Sequence, residues 1–392
     1  LGFEAEMGHK EVGGVPAQLG GEGQFSHIME QLEIDWKYDQ ALQSADNELF
    51  AREIIQEVFF RHGLKVTFRA KPIEGVAGNG EHHHLGIAVK LSSGRRLNLF
   101  APKDMKASYM NAFGWGALMG ILKNYEVVNP FVTSSNDAFN RLKPGFEAPV
   151  CTVASVGHTP EMPARNRTVL VGLVRDTENP LATRFELRAP NPLSNTYLLG
   201  AAAYQAMLDG ILYVLKSEPA EADLEKEMSK VYGEDAGYLE KDRAYRSEED
   251  VFEHYTAEDH NKLFGVPPRT VWENLCAFGR ANGKLAVLKR GEVFPEAIID
   301  SYQATILSQW VSELSNRVIP SNEDLIRRYV KLHDIEEITD LDVVNWEKIR
   351  SLRYELMKNS LAESALFTKI KQAMEAADYE TASALQVEMM AK

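Results

Sequence analysis

Cysteines, long apolar runs and export signals are scarce or missing in this sequence. Its 392 residues include two cysteines, Cys151 and Cys276, and their wide separation gives no metal-binding spacing. Two cysteines in a chain of this length are typical of the reducing cytoplasm and predict buried thiols. No run of about eighteen apolar residues occurs, and no apolar signal core follows Leu1. We therefore predict a cytoplasmic protein with no membrane-spanning helix and no membrane as a partner.

Positive charge is also in short supply. The 43 Lys and Arg residues stand against 57 Asp and Glu residues, which gives a net charge of -14. This balance disfavours nucleic acid as a partner, because phosphate backbones bind basic surfaces. A hydrophobic fraction of 44% and a charged fraction of 26% indicate a globular protein rather than a disordered chain. Local arginines could still bind a small anionic substrate.

Two common nucleotide-binding signatures are missing as well. The sequence contains no Gly-x-x-x-x-Gly-Lys-Ser/Thr loop, and no dinucleotide-binding glycine fingerprint follows a strand. These absences exclude the P-loop enzymes and the dinucleotide-binding class. Any nucleotide site in this chain must therefore be built from other elements.

Alternating and helical patterns follow one another along the first half of the chain. Alternation predicts strands over Lys65–Ala70 and Arg95–Phe100, whereas Asp46–His62 has helical periodicity with Asp46 as its N-cap. Turn clusters rich in glycine and proline separate the segments. Antiparallel strands with inserted helices fit this order. We therefore predict an α+β fold, with an antiparallel sheet and packed helices.

Helices dominate the second half of the sequence. Tyr197–Lys216 is apolar on nearly every face and predicts a buried core helix, whereas the charged Glu218–Phe264 predicts an exposed, partly mobile insertion. Near the C-terminus, Trp346–Met374 and Tyr379–Met390 predict two helices joined at Ala376-Ala377-Asp378. Such a hairpin buries too little surface to be stable alone. We expect it to dock on its own chain or on another subunit, with a frayed, solvated helix as the alternative.

Two carboxylates alternate near the start of the chain, in Phe3-Glu4-Ala5-Glu6. On a strand, Glu4 and Glu6 would share a face. Two carboxylates on one buried face repel each other unless a cation lies between them. The pattern is compatible with a metal site, although this motif taken alone favours a solvated edge strand.

A second alternating set lies in Arg184-Phe185-Glu186-Leu187-Arg188. The three charged side chains would share one face, and the two apolar ones would pack beneath them. Arginines bind phosphate or carboxylate through two hydrogen bonds, and a glutamate between them could bind Mg²⁺. A cross-strand ladder of salt bridges is the alternative interpretation.

Histidines form a third set, in the segment from Gly78 to His84. A glycine turn leads into a strand on which His82 and His84 share a face. Three consecutive histidines suggest zinc, but zinc sites draw their ligands from separated positions. No cysteine or second histidine cluster completes such a site, so the sequence argues against zinc.

Two further segments carry arginines. Arg141–Pro149 has two prolines and a glycine around Arg141 and Glu147, a composition typical either of a loop that closes over substrate or of an ordinary surface loop. Arg165 and Arg167 alternate in Ala164–Arg167. Together, acids, imidazoles and arginines on separate short segments are the groups that phosphoryl transfer with a divalent metal needs.

These motifs, in this order, resemble the glutamine synthetase family from Phe3 to about Pro320. The similarity is strongest in four segments: Gly78–His84, Asn129–Pro149, Ala164–Arg167 and Arg184–Tyr197. The resemblance implies the family's glutamine synthetase/guanido kinase-like catalytic domain over residues 1–320. A helical C-terminal extension over residues 321–392 would follow it. The family's N-terminal β-grasp domain is expected to be missing from the chain as it stands.

The resemblance implies two sites for Mg²⁺ or Mn²⁺. The metal nearest the ATP phosphates would be held by Glu4, His82 and Glu186. The metal nearest the substrate would be held by Glu6, Glu11 and Glu33. The last two are placed by His9-Lys10-Glu11-Val12 and Gln31-Leu32-Glu33-Ile34-Asp35, which are similar to family motifs.

Substrate contacts are also implied by the resemblance. Glutamate and its γ-phosphoryl group would be bound by Gly78, Arg141, Glu147 and Arg188. ATP would be bound by His84, Arg165 and Arg184. The residues implied to act directly in catalysis are Arg141, Glu147 and Arg165, with Glu147 on a flap that shields the intermediate.

The implied reaction is the ATP-dependent ligation of ammonia to the γ-carboxylate of glutamate, through γ-glutamyl phosphate. Family members form homo-oligomers of stacked rings, so we expect an oligomer here. A ligase for another amine, such as a polyamine, is one alternative. A non-catalytic relative acting as a scaffold and an unrelated metal-binding α+β protein are the others. Phe264 stands where some bacterial relatives carry a tyrosine that accepts adenylyl groups, so we predict no adenylylation there.

Overall fold

The computed structural model describes residues 4–15, 18–19, 25–26, 29–143, 150–279, 282–331 and 338–392. The chain forms two compact units. The first consists of Leu1–Pro267 and Arg280–Pro295, and the second of Pro268–Gly279 and Glu296–Lys392. The division predicted at residue 320 rests on the family resemblance and stays a prediction.

The described strands all lie in the first unit. Their bounds are β1 Ala5–Val15, β2 Gln18–Leu19, β3 Phe25–Ser26, β4 Met29–Trp36, β5 His83–Leu85, β6 Ala88–Lys90, β7 Arg96–Asn98, β8 Cys151–Ser155, β9 Val169–Asp176 and β10 Asn179–Leu187. Strands β1 and β4 form an antiparallel ribbon, and a four-stranded sheet has the order β5-β10-β9-β8. Strands β2 and β3 form one further pair, and β6 and β7 form another.

The central sheet is mixed rather than purely antiparallel. Strand β10 is antiparallel to both β5 and β9, as predicted, but β8 runs parallel to β9. A parallel pair needs a long crossover connection, and residues 156–168 form that connection here. The predicted α+β class is confirmed, with this one parallel pair as the difference.

Helices make up most of the remaining structure. Their bounds are α1 Ala41–Arg61, α2 Ala112–Val132, α3 Asn136–Arg141, α4 Thr196–Ser217, α5 Glu221–Met228, α6 Val251–His254, α7 Ala257–Phe264, α8 Val271–Leu275, α9 Leu285–Lys289, α10 Glu296–Glu313, α11 Ile319–Arg328, α12 Asp340–Met357, α13 Leu366–Glu375 and α14 Tyr379–Ala391. A π-helical turn, Leu314–Val318, joins α10 to α11.

Two local predictions in the first unit were wrong. Helix α1 begins at Ala41 with Gln40 as its N-cap, not at Asp46. The Asp46 carboxylate instead accepts a hydrogen bond of 2.6 Å from the Tyr197 hydroxyl. Residues 65–70 form no strand, since the Ala70 carbonyl accepts from the amide of Asn79 rather than from a ladder partner. The second predicted strand is present as β7, although it is shorter than expected.

The predicted core helix is confirmed as α4, which packs closely against α2. A Cβ atom added to Gly210 would lie 1.8 Å from the carbonyl oxygen of Gly116, so the helices cross with backbone against backbone. Helix α4 is also long and apolar enough to cross a membrane, by length and composition alone. Half of its most apolar stretch is buried within the protein, as expected of a core helix.

The segment Glu218–Phe264 is not the exposed insertion that its charge predicted. Phe264 and Val251 are buried in a cluster with Cys151, Val153 and Val169 of the sheet. Buried apolar side chains lie between its charged residues, and composition alone does not show that spacing.

The two cysteines differ in environment. Cys151 is buried, as predicted, and burial raises the pKa of its thiol to about 11. Cys276 is exposed, so the prediction of a buried thiol was wrong there. Cys276 begins a short 3₁₀ turn directly after α8, so it does not belong to the buried face of that helix.

The second unit is helical in its described residues. The long helix predicted over Trp346–Met374 is broken, because α12 ends at Met357 and α13 begins at Leu366. In the break, the side chain of Asn359 accepts from the amide of Ala365 at 2.8 Å and so competes with helical hydrogen bonding. The second predicted helix is confirmed as α14, and Ala377 turns the chain between them with a φ of 55°.

The hairpin of α13 and α14 docks on its own chain. Trp310 of α10 donates to the side chain of Gln386 at 2.8 Å, and Trp272 of α8 donates to Glu380 at 2.9 Å. Trp310 is only 1% exposed. The expectation that the hairpin would dock is therefore confirmed, and its partners are helices that lie before residue 320.

Candidate active site

The β1–β4 ribbon carries on one face a cluster of side chains that could hold a metal ion. His9 lies opposite Glu33, and Glu11 lies opposite Gln31. Since side chains alternate along a strand, all four share a face. The Nε2 atom of His9 lies 2.9 Å from an oxygen of Glu11 and 3.7 Å from an oxygen of Glu33. One ligand atom from each of His9, Glu11 and Glu33 lies within 4.8 Å of the others.

The two glutamates of this cluster have opposite pKa shifts. A hydrogen bond from His9 lowers the pKa of Glu11. Burial, together with the charges of Asp35 and Glu11, raises the pKa of Glu33. A carboxylate held beside another carboxylate is the arrangement that a cation would stabilise.

Glu4 and Glu6 lie at the start of the same ribbon. Glu4 is exposed and forms an ion pair with Lys37, rather than with the histidines of β5. A break in register between Ala5 and Met7 disturbs the alternation on which their shared face was predicted. Glu6 is exposed, and its charge acts on Arg184 of β10. Both glutamates line the groove in which the other site residues lie.

Glu186 is the centre of the arrangement on the sheet. Its Oε1 atom lies 3.0 Å from Nδ1 of His82 and accepts a hydrogen bond of 2.7 Å from Arg188. Phe185 and Leu187 are fully buried beneath it, as the alternation predicted. Burial acts to raise the pKa of Glu186, but His82 and Arg188 outweigh it and lower the pKa to about 2. The carboxylate is therefore ionised at neutral pH.

His84 and Arg184 form a neighbouring pair on β5 and β10. The Nε atom of Arg184 donates to Nδ1 of His84 at 2.8 Å. Burial and the Arg184 charge lower the pKa of His84 to about 4, so the imidazole is neutral at pH 7. Burial likewise lowers the pKa of His82. Neutral imidazoles beside an ionised carboxylate have the protonation states that metal binding requires.

Arg141 lies beneath the glycine turn that leads into β5. Its side chain donates to the carbonyl oxygens of Ala189 at 2.8 Å and Arg188 at 3.2 Å. A Cβ atom on Gly80 would lie 2.4 Å from Nη2 of Arg141, and one on Gly78 would lie 3.1 Å from its Cγ atom. The guanidinium thus holds the end of β10 and the glycine turn together.

Gln31 joins the ribbon to this turn. Its side-chain nitrogen donates to the carbonyl of Gly78 at 3.0 Å and to the side chain of Asn79 at 2.8 Å. Its side-chain oxygen accepts from the amide of Gly13 at 2.6 Å. Gln31 therefore links the ribbon to the turn that leads to the histidines of the sheet.

A polar cavity of about 400 Å³ opens beside Glu186. Its lining residues are Ala164, Arg165, Asn166, Arg167, Gly172, Glu186 and Arg188. Gly172 lies opposite Glu186 on β9, and the missing side chain leaves room for the carboxylate. Three arginines and one glutamate suit a polyanion that carries a metal ion. A larger groove of about 2830 Å³ shares Arg165, Asn166, Arg167 and Glu186 with this cavity and is also lined by Glu11 and Glu33 of the ribbon.

The structure therefore brings together most, but not all, of the predicted residues. Glu147 and the rest of 144–149 lie outside the described residues. Sequence reasoning missed His9 as a member of the ribbon cluster, although it lies two positions before Glu11 and alternation could have indicated it. It also missed Gln31 and gave Arg167 no role.

Comparison with known proteins identifies the family of this chain. The family described as "Glutamine synthetase, catalytic domain" matches residues 24–241. The chain is 35% identical over 227 residues to a glutamine synthetase of Clostridium saccharobutylicum, covering 57% of this chain and 43% of the relative. It is 34% identical over 211 residues to a glutamine synthetase of Aquifex aeolicus (strain VF5), covering 54% and 39% respectively. The chain thus spans well under half the length of these relatives.

A solved structure shows a similar fold. The glutamine synthetase of Plasmodium falciparum, determined by cryo-electron microscopy, matches with a TM-score of 0.54 and 20% sequence identity. The match covers 86% of this chain and 58% of that chain. At this identity, the likeness concerns the fold alone.

Proposed function

The chain belongs to the glutamine synthetase family, and from this premise we propose that it catalyses the ATP-dependent ligation of ammonia to the γ-carboxylate of L-glutamate. One observation carries the proposal. The ionised carboxylate of Glu186 is held between His82 and Arg188 on the wall of a cavity that Arg165 and Arg167 also line. This is a site for a phosphate chain with a bound metal.

The arginines would bind the phosphates of ATP. No carboxylate among the described residues forms an ion pair with Arg165, so its charge is available to a ligand. Arg188 is already hydrogen-bonded to Glu186 and has a side chain only 5% exposed. It would therefore supply a fixed charge, while Arg165 adjusts to the phosphate. Stabilising the charge of the phosphoryl group in this way lowers the energy barrier to its transfer.

The donor atoms present fit Mg²⁺ or Mn²⁺ at two places. His82 and Glu186 would hold one ion, and Glu11 and Glu33 would hold the other. Glu6 would join the second, and Glu4 would join the first on releasing Lys37. A divalent ion at these places would neutralise phosphate oxygens and reduce the repulsion between ATP and the glutamate carboxylate.

The proposed chemistry has two steps. An oxygen of the glutamate γ-carboxylate attacks the γ-phosphorus of ATP, and ADP leaves. Ammonia then attacks the acyl carbon of γ-glutamyl phosphate, and phosphate leaves. We propose that Arg141 and Gly78 form part of the glutamate-binding wall, and that Glu147 covers the intermediate and helps to take the proton from ammonium. We also propose a cytoplasmic homo-oligomer, as the family resemblance implies.

Product analysis tests the proposal. The whole protein is incubated with Mg²⁺, ATP and glutamate, and with ammonia or a polyamine in parallel, and the products are identified by mass spectrometry. We expect glutamine, ADP and phosphate in equal amounts. A γ-glutamyl polyamine as the main product would indicate a ligase for another amine. A folded protein that consumes no ATP with either amine would contradict ligase activity.

A further inference from the structure

The loop that carries Arg165 and Arg167 is held by residues beyond the family-matched range 24–241. This loop, residues 156–168, connects β8 to β9. At the free edge of β8, the amide of Ala154 donates to the carbonyl of Tyr245 at 2.8 Å, and the amide of Ser247 donates back to Ala154 at 3.0 Å. This pairing brings residues 246–248 next to the start of the loop.

The carboxylate of Glu248 binds the start of the loop. It accepts hydrogen bonds from the Ser155 hydroxyl and from the amides of Val156 at 3.1 Å and Gly157 at 2.9 Å. Arg246 donates to it as well, at 2.8 Å. Burial acts to raise the pKa of Glu248, but these donors outweigh it and lower the pKa. An ionised acceptor for four donors is a strong and specific anchor.

The carbonyl side of the same turn is held too. The oxygen of Gly157 accepts from Nη2 of Arg246 at 2.8 Å and from the Tyr109 hydroxyl at 3.0 Å. Gly157 has a φ of 97°, and a Cβ atom there would lie 2.2 Å from the carbonyl oxygen of Met162. The turn is therefore fixed on both sides in a conformation that favours glycine.

The other end of the loop is fixed by Asn166. Its side-chain nitrogen donates to the carbonyls of Ser247 at 3.2 Å and Glu249 at 2.5 Å. Arg165 and Arg167 lie on either side of it in sequence, and both line the cavity beside Glu186. Both ends of the arginine loop are thus attached to the same short segment, residues 246–249.

We propose that Glu248 is a positioning residue for nucleotide binding, which holds the loop so that Arg165 and Arg167 face the phosphates of ATP. The proposal rests on the proposed function. Arginine side chains lose considerable conformational freedom on binding, so a loop already in place reduces the cost of binding phosphate. Glu248 acts through the loop and does not itself touch the reacting atoms.

The test compares Glu248→Gln with Glu249→Gln in the whole protein. Glutamine has the shape of glutamate, but its NH₂ group cannot accept the hydrogen bonds that the carboxylate of Glu248 accepts. Glu249 is exposed, carries the same charge and binds the loop only through its backbone carbonyl. Titration calorimetry measures Kd for Mg·ATP, steady-state kinetics measure KM for ATP and for glutamate, and hydrogen exchange follows the amides of Val156 and Gly157.

For Glu248→Gln we expect Kd and KM for ATP to rise about tenfold, with KM for glutamate changed less than about twofold. Exchange at Val156 and Gly157 should accelerate, and Glu249→Gln should resemble the wild type. If Glu248→Gln does not fold, Ser155→Ala removes one donor and should shift KM for ATP in the same direction by about threefold.

Three results would overturn the proposal. Equal changes in both KM values, or faster amide exchange with unchanged ATP binding, would make Glu248 a structural residue only, while the proposed function stands. A wild-type protein that binds no Mg·ATP would overturn the proposed function and this inference together. The wild-type titration therefore separates the two failures.

Discussion

His82 and Glu186 are joined across the start of β5 and the end of β10, with Nδ1 of the histidine 3.0 Å from Oε1 of the glutamate. The same oxygen accepts from Arg188. The other oxygen, Oε2, faces Gly172, where a Cβ atom would lie 3.7 Å away. One oxygen of Glu186 is thus bonded to side chains of the protein, and the other faces the side of the cavity where a ligand would bind.

We predict that Glu186→Gln lowers glutamine formation by roughly 100-fold or more, because it removes a fixed negative charge at the proposed metal and phosphate site. The amide oxygen can still accept from Arg188, so thermal stability should change little. The matched control is Glu178→Gln, at an exposed turn between β9 and β10. Near-normal turnover of Glu186→Gln in magnesium would refute the assignment of this residue.

Glu48 of α1 should make stability depend on pH. Burial, together with the charge of Glu81, raises its pKa from 4.5 to about 8, although Arg52 opposes this. Between these two pH values, Glu48 is therefore protonated in the folded protein and ionised in the unfolded chain. The free energy of unfolding falls as pH rises through that range. We predict that Glu48→Gln is more stable than the wild type by roughly 1–3 kcal/mol near pH 8.5 and equal to it near pH 4.5.

Urea unfolding at both pH values measures this difference. Glu53 is exposed on the same helix, so Glu53→Gln is the control and should show no such pH-dependent gain. If Glu48→Gln and the wild type differ equally at both pH values, the effect is not the titration of Glu48.

The contact between α2 and α4 supports a prediction about packing. A Cβ atom on Gly210 would meet the carbonyl of Gly116 at 1.8 Å, whereas one on Gly200 of the same helix meets nothing within 4 Å. Gly210→Ala should therefore cost about 3 kcal/mol or prevent folding, and Gly200→Ala should be neutral or stabilising by up to about 1 kcal/mol. Equal unfolding free energies for the two variants would contradict the close crossing of these helices.

The sequence predicted the parts of this protein in which function and core impose a local pattern. The alternation around Glu186 is one example, because Phe185 and Leu187 must be buried while the charged residues face the cavity. The histidines at the start of β5 and the core helix α4 are others. In each case, the period of the local element decides which side chains share a face.

The sequence did not reveal features that depend on distant partners. The burial of Phe264 depends on Cys151 and Val153 of β8, more than one hundred residues earlier in the chain. Arg141 is a long side chain whose guanidinium reaches backbone carbonyls directly after β10, and spacing cannot show which carbonyls. Glu248 likewise acquires its role only when residues 245–247 pair with β8.

Phe264 also bears on covalent regulation. It is 1% exposed, and its ring lies 5.2 Å from that of Tyr255. Phenylalanine has no hydroxyl to accept an adenylyl group, and this one is covered. We predict no AMP adduct on any peptide spanning Leu263–Pro267 after incubation with ATP and an adenylyltransferase. Mass spectrometry that finds such an adduct would contradict the prediction.

The last prediction concerns the C-terminal hairpin. Helix α14 covers Trp310, whose indole donates to Gln386, and a buried hydrogen bond of 2.6 Å joins Thr270 to Ser383. Deleting residues 366–392 would expose these apolar and polar groups and destabilise the second unit. We expect red-shifted tryptophan fluorescence, because Trp310 loses its cover. We also expect altered oligomer stability in sedimentation, because the helices that lose their cover lie before residue 320.

Turnover per active site should change much less, since the site residues described above all lie in the first unit. Ser383→Ala provides a milder variant, which leaves the Thr270 hydroxyl without its buried partner and should cost about 1–2 kcal/mol of stability at unchanged turnover. If turnover collapses in either variant while its oligomer and metal binding stay intact, the hairpin contributes to the active site, and its assignment as a structural extension is wrong.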